Sequence, residues 1–403
     1  MADRLITVLR MRFEERSELN TEDRVLSTVF NMGFSDFTGN ESAITNIRQM
    51  LAHQRFPHAV IIAGAEGAGK YTLAQMISKA MNCLDPPAGE ALDNRPLPDF
   101  CGVCANCQRI AEADALEARC AEAVEARESL RETDKKETRI FVQTHPDVLV
   151  IPPDPPQLMI KVDQVRRVTE TIYFRPSNGR RRVYIFTASS FMKEAANALL
   201  KVLEEPPEFA SIFLLTANPG ELLPTIRSRS IVIHLAPLPV EQLESMLAKR
   251  QPSLGARQRS LVARLAEGAY GKAQSFDLAA YLAARGDALT LLQAARGEDH
   301  SALFRATEAY RAGAEGKEKT TLLLRTLYSL LGDLMYIQSE TPELVKNLDI
   351  LSELERMAKT QTKTLPFRWI EIASRGLGEV ESGMRRNLLR SLSLDAFAVS
   401  LEQ

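Results

Sequence analysis

No apolar run in the sequence approaches the roughly 18 residues that span a bilayer, so a transmembrane helix is not expected. The N-terminal stretch Met1-Ala2-Asp3-Arg4-Leu5-Ile6-Thr7-Val8-Leu9-Arg10 is charged and lacks the apolar region and cleavage site of a secretory leader, so a cytoplasmic protein is expected. Charge of one sign is also missing. Lys plus Arg (50) nearly cancels Asp plus Glu (52), and a net charge of −2 argues against a chain that coats nucleic acid by overall charge. Cysteine is scarce, at five residues, and four of the five lie close together, which in a reducing compartment points to a metal site over a disulfide framework. There is a single tryptophan. Its setting, Phe367-Arg368-Trp369-Ile370, has no basic surroundings patterned for a nucleic-acid groove and reads as core packing.

What is present is ample for ordinary cores: 403 residues with 45% apolar content, enough for about two to four domains. The most informative stretch is Gly64-Ala65-Glu66-Gly67-Ala68-Gly69-Lys70-Tyr71-Thr72, placed between an apolar strand from His58 to Ala63 and an amphipathic helix from Leu73. A strand, a glycine-rich turn and a helix N-terminus aim backbone N–H groups at one point and make a phosphate cradle. Gly64, Gly67, Gly69, Lys70 and Thr72 are its candidate nucleotide-binding residues. The pattern calls for a short hydroxyl directly after the lysine, where it ligates the Mg²⁺ that bridges the phosphates. Tyr71 stands there, with Thr72 one place late, so the loop can hold phosphate but is poor at holding the metal.

Cys101-Gly102-Val103-Cys104-Ala105-Asn106-Cys107 places three thiolates at two-residue intervals, and Cys83 supplies a fourth, the donor set of a closed tetrahedral site. Zinc in a structural role is the expected metal, with an iron–sulfur cluster as the alternative. Residues 108 to 139, rich in Ala, Glu and Arg, read as an inserted surface helix or helical hairpin. Cys120 within it reads as packing and Lys135-Lys136 as a solvated face. From His145 the rhythm becomes strand and helix in alternation: Asp147–Pro152, Arg182–Phe186, Ser211–Thr216 and Ser230–Leu235 read as buried strands, and Val162–Val168 and Glu194–Leu203 as helices. With the loop strand this makes about five parallel strands covered on both faces, a P-loop NTPase core. No strand signal recurs after Pro237. Short helices over Val240–Arg250, Gln258–Glu267 and Lys272–Arg285 make a lid, and a longer helical domain follows, with a candidate linker between Gly286 and Gly297.

A working P-loop ATPase carries an acidic pair at the end of the strand beside the loop, one carboxylate for the Mg²⁺ shell and one to polarise the attacking water. Arg182–Phe186 is the candidate strand, and it runs into Thr187-Ala188-Ser189-Ser190, with both carboxylates missing. Glu194 lies two turns on in the next helix and the pair Glu204-Glu205 at its far end, so neither is assumed to reach the site. Little or no hydrolysis by this chain's own site is expected.

Several stretches resemble bacterial DNA polymerase III clamp-loader subunits of the AAA+ class, over about residues 34 to 275. They are Phe56-Pro57-His58-Ala59, the four cysteines, His145-Pro146-Asp147, Ile160-Lys161-Val162-Asp163-Gln164-Val165-Arg166, the run Glu194 to Pro207 containing Ala196-Asn197-Ala198-Leu199-Leu200-Lys201, and Leu223-Pro224-Thr225-Ile226-Arg227-Ser228-Arg229-Ser230. The missing acidic pair makes the delta-prime type the nearest resemblance. Residues 1–33 read as an N-terminal extension and 108–139 as an addition to the family pattern, while the resemblance implies an AAA+ core (34–236) holding a zinc knuckle (83–107), a helical lid (237–292) and an all-α collar domain (293–403). It implies a hetero-pentamer with gamma/tau and delta subunits that loads a sliding clamp on primer-template DNA with ATP, and no membrane contact. It implies that Arg229 is an arginine finger reaching the nucleotide of a neighbouring subunit, with Ser230 in place of the family's cysteine. Lys272 matches the family's lid sensor, and Thr216 and Asn218 its first sensor. Two other readings remain: a gamma/tau-like ATPase whose displaced acids rescue the site, and a zinc-containing nucleic-acid-binding module using Arg180-Arg181-Arg182.

Overall fold

The computed structural model describes residues 33–87, 91–92, 95–294, 307, 310, 313–359, 367–385 and 393–397. The expected N-terminal extension, save Gly33, lies outside these residues. The chain forms two compact units, Met1–Pro237 and Leu238–Gln403.

In the first unit, helix α1 (Glu41–Ala52) leads to strand β1 (Ala59–Ala63), and the glycine loop then opens helix α2 (Lys70–Asn82). The strand Ala-Val-Ile-Ile-Ala is buried at every position because each face of the sheet is covered. Val60 and Ile62 join Ile44, Ile47, Leu73 and Ile77 on one side, while Ala59 and Ile61 join Val165, Val168, Leu199 and Val202 on the other. A two-stranded ribbon of β2 (Ala91–Leu92) and β3 (Arg95–Pro96) precedes helices α3 (Ala105–Ala111), α4 (Leu116–Glu128) and α5 (Glu132–Glu137). The last two are the expected inserted helices, and Cys120 packs against the core as expected. Then come β4 (Val142–His145), β5 (Val148–Ile151), helix α6 (Val162–Thr171), β6 (Arg182–Phe186), helix α7 (Lys193–Glu204), β7 (Ala210–Thr216), the short helix α8 (Pro224–Arg227) and β8 (Ile231–His234).

The sheet order is β4-β5-β6-β7-β1-β8. Five strands run parallel, as the sequence predicts, and β4 adds a sixth, antiparallel to β5. One expectation is corrected. Arg182–Phe186 does not lie beside the loop strand: β7 is inserted between them, with Ala63 level with Thr216, and β6 pairs on its other side with β5. Apolar strands buried on both faces look alike in sequence, so their lateral order is fixed only by the crossovers.

Several family-like motifs hold this frame together. The Asp147 carboxylate accepts the N–H groups of Ser177, Asn178 and Gly179 at 2.7–2.8 Å, which pins the turn before β6. Burial alone would raise its pKa, but those amides and His145 outweigh it and hold the carboxyl below its ordinary range. Gln164, fully buried, donates to the carbonyls of Ile140 and Pro152 and so fastens α6 to the sheet edge. A buried ion pair, Arg127 to Asp154 at 3.1 Å, ties the insertion to the segment after β5.

The second unit is helical in its described residues: Val240–Arg250, Ala256–Leu265, Tyr270–Gln274, Leu278–Ala294, Gly313–Gln338, Leu351–Ala358 and Phe367–Arg385. The expected helix Lys272–Arg285 is two, parted at Ser275–Asp277, and Leu278–Ala294 runs on through the start of the stretch read as a linker. Leu243, Leu247, Val262 and Ala263 form one apolar cluster, while Leu291, Leu323, Leu327, Leu354 and Leu377 belong to a second, larger one against which Trp369 packs. Among the described residues no helix is long and apolar enough to cross a membrane.

Candidate functional site

The glycine loop is built for close backbone approach. Gly67 and Gly69 have φ of +77° and +87°, and a Cβ on Gly69 would lie 3.2 Å from the Phe37 ring, so both the conformation and the space call for glycine. The Gly64 N–H donates to the Thr216 carbonyl at 3.2 Å, which anchors the loop to the end of β7. Lys70 curls back over the loop, and its Nζ lies 2.7 Å from the carbonyl oxygens of both Gly64 and Ala65. Burial lowers the pKa of this ammonium against the opposing pull of Glu66. Thr72 is half-buried on the first turn of α2.

Tyr71 points away from phosphate chemistry. Its hydroxyl donates to the carbonyl of Ala113 at 2.6 Å and accepts from Gln75 Nε2 at 2.6 Å. Burial raises its pKa far above that of a free phenol, so it remains a neutral donor. Where the pattern wants a metal ligand, the chain has a clamp between the loop's helix and the segment that follows the cysteines.

The ends of the central strands carry hydroxyls and a carboxylate from an unexpected source. Thr187 and Ala188 follow β6 directly, and Ala217 and Asn218 follow β7, the strand beside the loop strand, so neither strand runs straight into an acidic pair. Thr216 Oγ1 donates to the carbonyl of Asn218 at 2.8 Å and accepts its N–H at 3.0 Å, so the two residues matched to a sensor share a local turn. Glu221, from the loop after β7, accepts the hydroxyl of Ser189 and stands 3.5 Å from Thr216 Oγ1. Sequence spacing gave no sign of this acid, which lies more than thirty residues beyond β6 and reaches its end only because β7 is its neighbour.

Arg229 follows α8. Its Nη1 donates to the Thr225 carbonyl at 3.0 Å, and its Nη2 is 2.9 Å from Glu204 Oε1, in a pair that leaves about a third to a half of each side chain in solvent. The guanidinium is thus oriented by a carboxylate from the Leu-Glu-Glu-Pro-Pro end of α7, a partner the sequence did not indicate. Lys272, in the second unit, lies 3.6 Å from Glu267.

Cys83, Cys101, Cys104 and Cys107 come together, with their four sulfurs within 4.8 Å of one another. The Cys83 sulfur is 3.5 Å from that of Cys101 and 4.0 Å from that of Cys104, around the separation of about 3.8 Å that a tetrahedral ion with 2.3 Å bonds to sulfur requires. The N–H groups of Cys101, Leu84 and Cys104 point at sulfurs, the arrangement that stabilises thiolates. At Cys104, burial pushes the thiol up, but the amides of Cys107 and Leu84 and the neighbouring thiols outweigh it and bring it down to about 6. The cluster is able to hold a metal ion, and it sits where α2 ends and α3 begins.

Two of the three arginines at the start of β6, Arg180-Arg181-Arg182, are spent inside the fold. Arg180 donates to the carbonyls of Met81 and Cys83 at the end of α2, and Arg182 pairs with buried Asp147 at 3.7 Å. Lys135 is tied to Glu128 and Glu132 on the insertion.

Comparison with known proteins adds the family. Residues 39–239 match the family model described as DNA polymerase III, delta subunit. The chain is 30% identical over 247 residues to DNA polymerase III subunit tau of Escherichia coli, covering 60% of this chain and 32% of that protein. It is 30% identical over 192 residues to subunit delta' of Pseudomonas aeruginosa, covering 47% of this chain and 46% of that one. The chain therefore spans about a third to a half of the length of these curated relatives. Among solved structures, a gamma subunit-related protein of Thermotoga maritima aligns with 21% identity and a TM-score of 0.27, covering 64% of this chain and 83% of that one. The DNA clamp loader delta protein of Bacillus subtilis aligns with 11% identity and a TM-score of 0.28, covering 89% and 98%. The phosphate loop, the five parallel strands and the match over residues 39–239 agree: this chain belongs to the AAA+ family of DNA polymerase III clamp-loader subunits.

Proposed function

We propose that the chain serves as a delta-prime-type subunit, a non-hydrolysing partner in a clamp loader that completes its neighbour's ATP site. The observation that carries this reading is Tyr71. The residue that should ligate Mg²⁺ is partly buried and hydrogen-bonded to the Ala113 carbonyl, and neither Thr187-Ala188 after β6 nor Ala217-Asn218 after β7 offers a carboxylate in compensation. Positioned metal and carboxylates supply most of the rate in this chemistry. Gly64, Gly67, Gly69, Lys70, Thr72 and Lys272 are then a vestigial nucleotide site, and Arg229 is the group that acts, supplying its guanidinium in trans. Zinc at the four cysteines is structural. The partners are gamma/tau and delta subunits, the sliding clamp and, through the complex, primer-template DNA.

The test is reconstitution of the loader with Arg229→Ala. Clamp-stimulated ATPase of the assembled complex should fall by about 10³-fold, and unchanged ATPase and loading would remove the finger assignment. Glu221 favours a second reading, a gamma/tau-like ATPase, because it brings one carboxylate to the strand ends. Mg²⁺-dependent turnover by the purified chain, abolished by Lys70→Ala, would establish that reading and overturn the first.

A further inference from the structure

A cavity of about 410 Å³ opens in the second unit, and its polar lining is Arg257, Ser260, Arg264, Lys346 and Asp349. We propose that it is a binding site for a phosphate group.

Arg257, Ser260 and Arg264 lie at positions i, i+3 and i+7 of the helix Ala256–Leu265, so one face of that helix presents them together. Arg257 is in the first turn, which carries no acidic residue to offset the positive end of the helix dipole. It is exposed and forms no ion pair among the described residues. Arg264 spends Nη1 on the carbonyls of Glu343 and Val345, while its Nε is buried with no partner among the described residues.

The opposite wall is rigid. The N–H groups of Lys346 and Asn347 donate to the fully buried carboxylate of Asp333, and Asn347, also fully buried, accepts from Tyr281 and Arg285. Asp349 is engaged from both oxygens by Arg285 at 2.6–2.8 Å, so its charge is spent on that partner. Lys346 is paired with Glu267, and an ammonium has further donors to give.

The cavity therefore combines a fixed wall with an unspent guanidinium, part of a second, a hydroxyl and an ammonium. A carboxylate has one charge and two acceptor atoms, fewer than these donors serve. A phosphate has three or four oxygens around one centre and suits planar guanidinium forks. The volume has room beyond a bare phosphate, so the group belongs either to a free phosphate compound or to a nucleic-acid backbone.

The test is equilibrium dialysis of the full chain against pyrophosphate and, separately, a short oligothymidylate, at constant ionic strength. Both are run in a Lys70→Ala background so that the glycine loop does not contribute. Retention of pyrophosphate with an affinity about tenfold weaker in Arg257→Gln supports a free phosphate compound. Retention of the oligonucleotide alone, with the same dependence on Arg257, supports a backbone phosphate. Arg257 is exposed, and circular dichroism checks that its variant folds; Ser260→Ala is the second variant. Binding of neither probe, binding lost with Lys70→Ala, or binding indifferent to both Arg257→Gln and Ser260→Ala overturns the proposal.

Discussion

Replacing Tyr71 separates the two demands placed on the position after the loop lysine. Tyr71→Phe keeps the ring and removes the hydroxyl, leaving the Ala113 carbonyl and Gln75 Nε2 without their 2.6 Å partner. Gln75 Oε1 already lacks a hydrogen bond, so the network has no spare donor to take over. Leaving such groups unsatisfied costs about 1–3 kcal/mol. Tyr71→Ser installs the hydroxyl the nucleotide pattern wants but also empties the ring's place against the core, and a large-to-small change of that kind costs about 3–5 kcal/mol. Urea unfolding followed by far-ultraviolet circular dichroism should rank wild type above Tyr71→Phe and that above Tyr71→Ser. Hydrogen exchange should localise the loss to α2 and to the residues around Ala113, where the clamp closes. Tyr71→Ser should gain no Mg²⁺-dependent ATPase, because Thr187-Ala188 still lacks the acids. A Tyr71→Ser chain within about 1 kcal/mol of wild type would refute the clamp. Gain of turnover would refute the view that the missing carboxylates are decisive.

Arg229→Ala and Glu204→Gln each remove a half-exposed ion pair worth at most about 1 kcal/mol, so urea midpoints should barely move. A large loss of activity in the reconstituted complex is then not a folding defect. Metal analysis of the purified chain should find zinc, and Cys107→Ser, at the most buried ligand, should abolish it and lower the melting temperature as chelation does. Asp147 has a folded pKa held below its unfolded one, so its contribution is present above the unfolded value and lost as pH falls through the folded one. Asp147→Asn should cost about 2–3 kcal/mol at neutral pH, from hydrogen bonds to a charged group, and should flatten the acid limb of a stability–pH curve.

Spacing along the chain was enough to place the phosphate loop, because a strand, a glycine turn and a helix are local events set by backbone conformation. The same holds for Cys101, Cys104 and Cys107, whose two-residue intervals bring their sulfurs together. Cys83 is a longer-range case, and the end of α2 delivers it. The run of five parallel strands was legible from apolar segments separated by helices. Their lateral order was not, and the expectation that β6 lies beside the loop strand failed for that reason.

The sequence by itself determined the fold class, the cysteine set and the absence of a metal-ligating hydroxyl and an acidic pair, since each is a matter of residue type at a fixed local offset. Tertiary structure decided what the substituted residues do. It turned Tyr71 toward Ala113, set Glu204 against Arg229, brought Glu221 to the end of β6 and spent Arg180 and Arg182 within the fold. Each of these contacts joins residues distant in the chain, and a contact of that kind is specified by how helices and strands pack, which no local pattern encodes.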